Sequence, residues 1–128
     1  MNELVLVSGS GRGLGASIAK TFVNNGYMVA INYFRSKEKA EELAKELGDN
    51  ACAFCADVRD VEQVKAMINE IKTKFNQSPS ILVNNAMTEY VFNGDERKFA
   101  DEISWNEIMQ HLDVTLKGSL NLIQTLIP

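Results

Sequence analysis

Histidine and tryptophan each occur once in this sequence of 128 residues, and cysteine twice. With His111 as its only imidazole and no second cysteine pair beside Cys52 and Cys55, the chain lacks a ligand set with metal-site spacing, and no metal is expected. The Cys-Ala-Phe-Cys spacing falls inside the short apolar run 51–56, which reads as a strand. Residues three apart on a strand face opposite ways, so the two thiols read as buried structural cysteines and not as a redox pair. Basic residues do not predominate: 13 Lys and Arg stand against 17 Asp and Glu, for a net charge of −4. The basic stripe of a nucleic-acid binder is absent. No apolar run approaches the roughly 20 residues of a membrane span, and Met1-Asn2-Glu3 does not open the basic and then apolar pattern of a secretory signal. Neither nucleic acid nor membrane is therefore an expected partner, and a cytoplasmic location is the default. What is present, 45% hydrophobic and 23% charged residues, is the composition of a globular domain with a real core.

Four apolar runs alternate with four amphipathic stretches, the pattern of repeated β-α units around a parallel sheet. Leu4–Val7 reads as the first strand, ended by the glycine cluster from Gly9 to Gly15. The next helix is expected to bury Leu14, Ile18 and Phe22, at spacing four, and to stop at Asn25-Gly26. Residues 28–31 form the second predicted strand. Ser36 can cap the second helix, which turns Ala40, Leu43, Ala44 and Leu47 inward and closes at Gly48. After the strand 51–56, Asp60 and Gln63 have capping-box spacing, with an acid in place of the usual hydroxyl. Val61, Val64, Ile68, Ile71 and Phe75 then recur along a third helix. The fourth predicted strand is 80–85, entered through Pro79, and a polar loop runs from Thr88 to Ile103. Ser104 and Glu107 form a second capping box and open a last helix that runs from Trp105 to the end of the chain. Its expected inner stripe is Ile108, Leu112, Leu116, Ile123 and Ile127. Leu120, Leu122 and Leu126 spread apolar surface beyond that stripe, and a helix apolar nearly all round is buried nearly all round. No linker, repeat or low-complexity segment interrupts residues 1–128, which read as one domain.

The segment Ser8-Gly9-Ser10-Gly11-Arg12-Gly13-Leu14-Gly15 lies between a predicted strand and a predicted helix. In such a loop one glycine permits the tight turn, another lets backbone approach a pyrophosphate, and a third lets helix pack closely on strand. The unpaired amides and positive dipole of the helix N-terminus then face the phosphates. A glycine-rich turn without a ligand has the same composition, but the strand–helix setting favours a nucleotide site. The spacing is not G-x-G-x-x-G, because Leu14 stands where the third glycine would fall. Gly9-x-x-x-Gly13-x-Gly15 is a longer loop.

On these residues the chain resembles the short-chain dehydrogenase/reductase family, over essentially its whole length. The loop resembles the family's Thr-Gly-x-x-x-Gly-(Ile/Leu)-Gly, with Ser8 for the threonine. Asp57-Val58 follows the third strand, where the family's aspartate contacts the adenine ring. Asn84-Asn85-Ala86-Met87 is similar to the family's Asn-Asn-Ala-Gly, with Met87 placing a side chain where glycine is usual. The resemblance implies cofactor contacts from Gly9, Ser10, Gly11, Arg12, Gly13, Leu14, Gly15, Asp57, Val58, Asn84 and Ala86. In the last helix Val114-Thr115-Leu116-Lys117-Gly118 resembles Val-Asn-Leu-x-Gly. Thr115 occupies the place of an asparagine that helps hold a water in the family's proton relay, and either its hydroxyl substitutes or the relay differs. Family members extend further, with a catalytic serine and a Tyr-x-x-x-Lys after a fifth strand, where tyrosine exchanges a proton with the substrate oxygen during hydride transfer. The chain is thus expected to stop before its catalytic segment. Its one Tyr-x-x-x-Lys, from Tyr33 to Lys37, lies at the end of the second strand and is expected to be a decoy.

NAD-using sites usually place an acid at the end of the second strand, on the ribose 2′-hydroxyl. Here Ile31-Asn32-Tyr33-Phe34-Arg35-Ser36 holds none before Glu38. Arg35 and Ser36, with Arg12 in the glycine loop, are instead candidates for a 2′-phosphate, which makes NADP(H) the expected cofactor. The expected fold is a three-layer α/β Rossmann domain with parallel strand order 3-2-1-4, the later strands of the family being absent. The expected function is hydride transfer to or from a carbonyl or alcohol substrate. The stretch from Asn32 to Gly48 looks most like 3-oxoacyl-acyl-carrier-protein reductases, which makes a 3-oxoacyl thioester one candidate substrate. A non-catalytic dinucleotide-binding module is the alternative. An S-adenosylmethionine-binding methyltransferase-like domain is a third reading, disfavoured by the missing acid. An exposed parallel edge at the fourth strand, surplus leucines on the last helix, and the family's habit of pairing through that helix make a homo-oligomer, dimer or tetramer, the expected assembly.

Overall fold

Leu4, Val5, Leu6 and Val7 are each fully buried, although successive strand residues point to opposite faces. Such a strand needs apolar cover on both sides, which only the centre of a doubly covered sheet supplies. The computed structural model, which describes residues 2–88 and 98–128, provides that cover. Strands β1 (Leu4–Val7), β2 (Met28–Tyr33), β3 (Ala51–Cys55) and β4 (Ile81–Val83) form one parallel sheet in the order β3-β2-β1-β4, as the sequence predicts. Leu6 lies level with Ala30 on one side and Leu82 on the other. Helices α1 (Gly13–Asn24) and α2 (Lys37–Leu47) cover one face, where Val5, Val7, Val29 and Ile31 meet Ala19, Ala40 and Leu43. Helices α3 (Val61–Phe75) and α5 (Gly118–Leu126) cover the other, where Leu4, Leu6, Ala30 and Phe54 meet Val64, Met67, Ile68, Ile71 and Leu122. Helix α4 (Trp105–Leu112) leads into α5 through a π-helical turn, Asp113–Lys117.

Local signals place most helix ends. Gly26 and Gly48 adopt the positive φ that stops α1 and α2. The Asp60 side chain accepts from the Glu62 and Gln63 amides at the start of α3. There the box is incomplete, because Gln63 Oε1 accepts from the Asp57 amide and not from the Asp60 amide, although Gln63 Nε2 donates back to Asp60 Oδ2 at 3.2 Å. Ser104 and Glu107 form the full reciprocal box at α4. Ser36 occupies the N-cap position of α2, but its side chain makes no capping bond, contrary to expectation.

Four expectations need correction. β2 runs two residues further than predicted, pairing Asn32 with Phe54 and Tyr33 with Cys55, while β4 is shorter. In α1 Ile18 and Phe22 pack half-buried against the core as expected, but Leu14 is 70% exposed, and the fully buried residues are Gly15 and Ala19, where the helix comes closest to the sheet. The cysteines are not both buried: Cys52 is half-buried and Cys55 exposed, since β3 is an edge of the described sheet. The stripe of the last helix is reversed. Gly118, Asn121 and Leu122 face the sheet, whereas Ile108, Leu116, Ile123 and Ile127 are exposed. A π turn admits a residue that the 3.6 period does not count, so a stripe counted across it loses register. The inner face is then set by the closest approach, at Gly118. A Cβ there would come within 2.6 Å of Val58 Cγ2.

Candidate functional site

The carboxyl ends of β1, β2, β3 and β4 converge on the loop between β1 and α1, and glycines decide how closely. Gly9 has φ of 60°, and a Cβ on it would sit 2.8 Å from Ala86 Cα. A Cβ on Gly15 would lie 2.5 Å from the Gly9 carbonyl oxygen and from Asn85 Nδ2. These two glycines bring α1 onto β1 and onto the segment after β4. The N-cap residue of α1, Arg12, is extended, no side chain caps the helix, and its first turn holds no acid. The leading amides and the positive end of the dipole are therefore turned to whatever anion enters.

A hydrogen-bond network fixes that loop. Ser8 Oγ accepts from the Asn85 amide at 2.9 Å and the Ala86 amide at 3.0 Å. Asn85 Nδ2 donates to the Gly9 carbonyl at 3.1 Å. From the other side, Asn32 Oδ1 accepts from the Gly9 amide at 3.0 Å, and Asn32 Nδ2 donates to the Ala56 carbonyl at 3.2 Å. Ser10 donates its amide to the Asn32 carbonyl and its hydroxyl to the Val7 carbonyl. Two carboxamides and two hydroxyls thus tie the four strand ends to one loop. At position 8 the hydroxyl is what the network uses, and serine supplies it as threonine would.

Around this frame lies a groove of about 790 Å³. Among the residues singled out in the sequence, Gly9, Gly11, Arg12, Gly13, Leu14, Arg35, Ser36, Asp57, Val58 and Ala86 line it. Ser10 and Gly15 are buried beneath the loop, where they support it without lining the groove. Asn84 is exposed and outside the lining, whereas Asn85, the second residue of the pair, is in it. Thr115 is exposed in the π turn, and its carbonyl accepts from the Ser119 hydroxyl. The groove takes its neighbour Val114 instead. Met87 lines the groove and is 73% exposed. Tyr33 lines it at the β2 end, across the sheet from Met87, and burial raises its hydroxyl pKa. Tyr90 and much of the predicted polar loop lie outside the described residues.

Sequence reasoning passed over Asn32, Asn85, Lys39 and Arg59. The signal for Asn32 was a lone amide in an otherwise apolar strand run. Arg59 lines the groove beside Asp57, its guanidinium taking both carboxylate oxygens, with NH2 to Oδ2 at 2.7 Å and Nε to Oδ1 at 3.0 Å. The Arg59 side chain holds the Asp57 carboxyl below its ordinary pKa despite partial burial. Asp57 Oδ1 also accepts from the Arg59 amide at 3.0 Å, so the aspartate shapes its own turn as well as facing the groove. Among the described residues no cluster of three or more His, Cys, Asp or Glu is placed to hold a metal. No described helix is long and apolar enough to cross a membrane.

A parallel sheet covered on both faces, with its crevice at the carboxyl ends and a glycine loop opening the first helix, defines a doubly wound α/β domain of the Rossmann kind. The model of the short chain dehydrogenase family matches residues 3–128, and the chain belongs to that family. It is 39% identical, over 131 aligned positions, to the 3-oxoacyl-acyl-carrier-protein reductase of Staphylococcus aureus, covering all of this chain and 50% of that protein. A probable 2,4-dienoyl-CoA reductase of Caenorhabditis elegans is 33% identical over 94% of the chain and 38% of its own length. Among solved structures, a 3-ketoacyl-acyl-carrier-protein reductase from Brucella melitensis complexed with NADH superposes with a TM-score of 0.86 at 32% identity. It spans 98% of this chain, which covers 49% of it. A gluconate 5-dehydrogenase from Burkholderia cenocepacia in complex with NADP and tartrate gives 0.78 at 30% identity, with 98% and 48% coverage. The chain spans about half the length of the acyl-carrier-protein reductases and less of the dienoyl-CoA reductase.

Proposed function

We propose that the chain is the NADP(H)-binding part of a short-chain reductase or dehydrogenase that moves a hydride between the nicotinamide and a carbonyl or alcohol substrate. The observation that carries the reading is the β2 end of the groove. Arg35, Ser36 and Lys39 line it, and no carboxylate of that segment does. A ribose 2′-hydroxyl calls for an acceptor at this place and a 2′-phosphate for cations and hydroxyl donors. The chain offers the second set, and Arg12 lines the same groove.

In this reading the pyrophosphate lies on the Gly11–Gly13 turn at the α1 N-terminus, and Asp57-Val58 faces the adenine. Ala86 and Val114 line the nicotinamide half, beside Met87. When bound, the dinucleotide would supply a hydride to a carbonyl or accept one from an alcohol, while this chain holds and orients it. The β2-end position of Tyr33 and Lys37 keeps them from the proton exchange that the reaction needs at the substrate oxygen. A 3-oxoacyl thioester is the substrate class suggested by the reductases to which the chain is similar. Such a protein fits a cytoplasmic setting and a homo-oligomer, whose second copy would cover Trp105, Leu116 and Leu120, all exposed on the α4–α5 side.

The test is a pair of variants. One charge-assisted contact to phosphate contributes about 1.5–3 kcal/mol, so Arg35→Ala and Arg12→Ala should each weaken NADPH roughly ten- to a hundredfold and change NADH little. Equal losses for both cofactors would overturn the reading.

A further inference from the structure

Asp57 and Arg59 sit two residues apart in the turn after β3, and both line the groove. Residues so close in a turn need not pair, yet here the guanidinium grips the carboxylate along its Nε–NH2 edge, with contacts of 3.0, 3.2 and 2.7 Å. Asp57 Oδ1 receives two donors, the Arg59 amide and Nε, which fills its two lone pairs. Oδ2 takes NH2 at 2.7 Å and only a long share of Nε at 3.2 Å. The backbone beneath is pinned as well. The Asp57 amide donates to Gln63 Oε1, and the Asp57 carbonyl accepts from the Asp60 amide. From the far side, Asn121 Nδ2 donates to the Val58 carbonyl at 2.9 Å, clamping the turn to α5.

A carboxylate held this way has one accepting direction left, and it cannot rotate to offer another. We propose that Arg59 is a positioning residue that turns Asp57 into a selective acceptor for the 6-amino group of adenine, so that the groove discriminates adenine from a 6-oxo purine. The inference rests on the dinucleotide reading above. An ionised carboxylate accepts and never donates. It rewards an exocyclic amino group and repels a carbonyl oxygen at the same place, and a site built for one hydrogen bond penalises the analogue that lacks it.

The probes are NADPH and its hypoxanthine counterpart, in which a 6-oxo group replaces the 6-amino group and N1 becomes an N–H, titrated into the full chain by calorimetry. The unaltered chain should favour NADPH by about tenfold or more. Arg59→Leu should shrink that preference to within about threefold by weakening NADPH, leaving the hypoxanthine form nearly unchanged. Arg59→Lys, which keeps the charge but not the fork, should fall between. Asp57→Asn gives an independent reading, because a carboxamide can turn its NH2 toward a 6-oxo group, and the preference should flatten or invert. A full adenine preference retained in Arg59→Leu, or equal losses for both dinucleotides, would overturn the role of Arg59 while leaving the dinucleotide reading intact. Binding of both probes without preference by the unaltered chain would overturn adenine selection. Binding of neither would overturn the dinucleotide reading and this inference together.

Discussion

Replacing Gly15 by alanine sets two effects of opposite sign against each other. Gly15 lies in the first turn of α1, where alanine would ordinarily stabilise a helix by about 1 kcal/mol. Here the added Cβ would stand 2.5 Å from the Gly9 carbonyl oxygen, 2.5 Å from Asn85 Nδ2 and 2.7 Å from Ser10 Cα. Two of these neighbours are backbone atoms, and Asn85 is itself held by its bond to Gly9. Nothing nearby can yield without moving the loop. Overpacking of this severity falls at the upper end of the usual range, about 3 kcal/mol, so Gly15→Ala should be destabilising by about 2 kcal/mol net. With an unfolding entropy of roughly 2.1 cal/mol/K per residue, that is a drop in Tm of about 7 °C for this chain. Thermal unfolding followed by circular dichroism measures it. Ser17→Ala, on the exposed face of the same helix, is the control and should change Tm by a degree or two. A Tm for Gly15→Ala equal to or above that of the unaltered chain would mean that helix propensity wins and that the loop has slack to give.

Three further outcomes follow from the same geometry. Asn32→Leu keeps the branched outline but strands the Gly9 amide and the Ala56 carbonyl, so it should cost about 2–4 kcal/mol in chemical denaturation, and an unchanged midpoint would show that the Asn32 bridge contributes nothing. Glu107, held by Lys98 and the Ser104 cap, has its carboxyl lowered to about 2 from the usual value near 4.5, so its contribution to α4 is complete above pH 4.5 and lost as pH falls through 2. Trp105 fluorescence should report fraying of α4 in that window and show none of this dependence in Glu107→Gln. Light scattering over a concentration series should show the chain self-associating through the face that carries Trp105, Leu116 and Leu120, a tendency reduced by Leu120→Glu; a monomer at every concentration would oppose it.

How much the sequence reveals depends on whether a feature is local. The glycine loop and the Ser104–Glu107 box follow from residues adjacent in the chain, whereas the strand order, which joins β1 to β4 across most of the sequence, is legible only through the family resemblance that those local motifs carry. The inner faces of α1 and of the last helix do not, because each is set by where a glycine allows closest approach. Gly15 beneath the loop and Gly118 against Val58 decide which face of each helix turns inward, and they leave outside Leu14 and Leu116, to which apolar periodicity alone points. The groove divides in the same way. Arg35, Ser36 and Asp57 are legible from their places at strand ends. Asn85 displaces Asn84 because its carboxamide must reach Gly9, and Arg59 enters through a pairing with Asp57 that no spacing rule announces.

A titration of the isotopically labelled chain with NADPH, followed by amide NMR, addresses the groove itself. Saturable shifts should concentrate at Gly9–Gly13, Arg35-Ser36, Asp57–Arg59 and Asn85–Met87, with NADH binding more weakly at the same amides. Absence of saturable shifts, or shifts confined to the exposed face of α4 and α5, would contradict a dinucleotide site at the carboxyl ends of the strands.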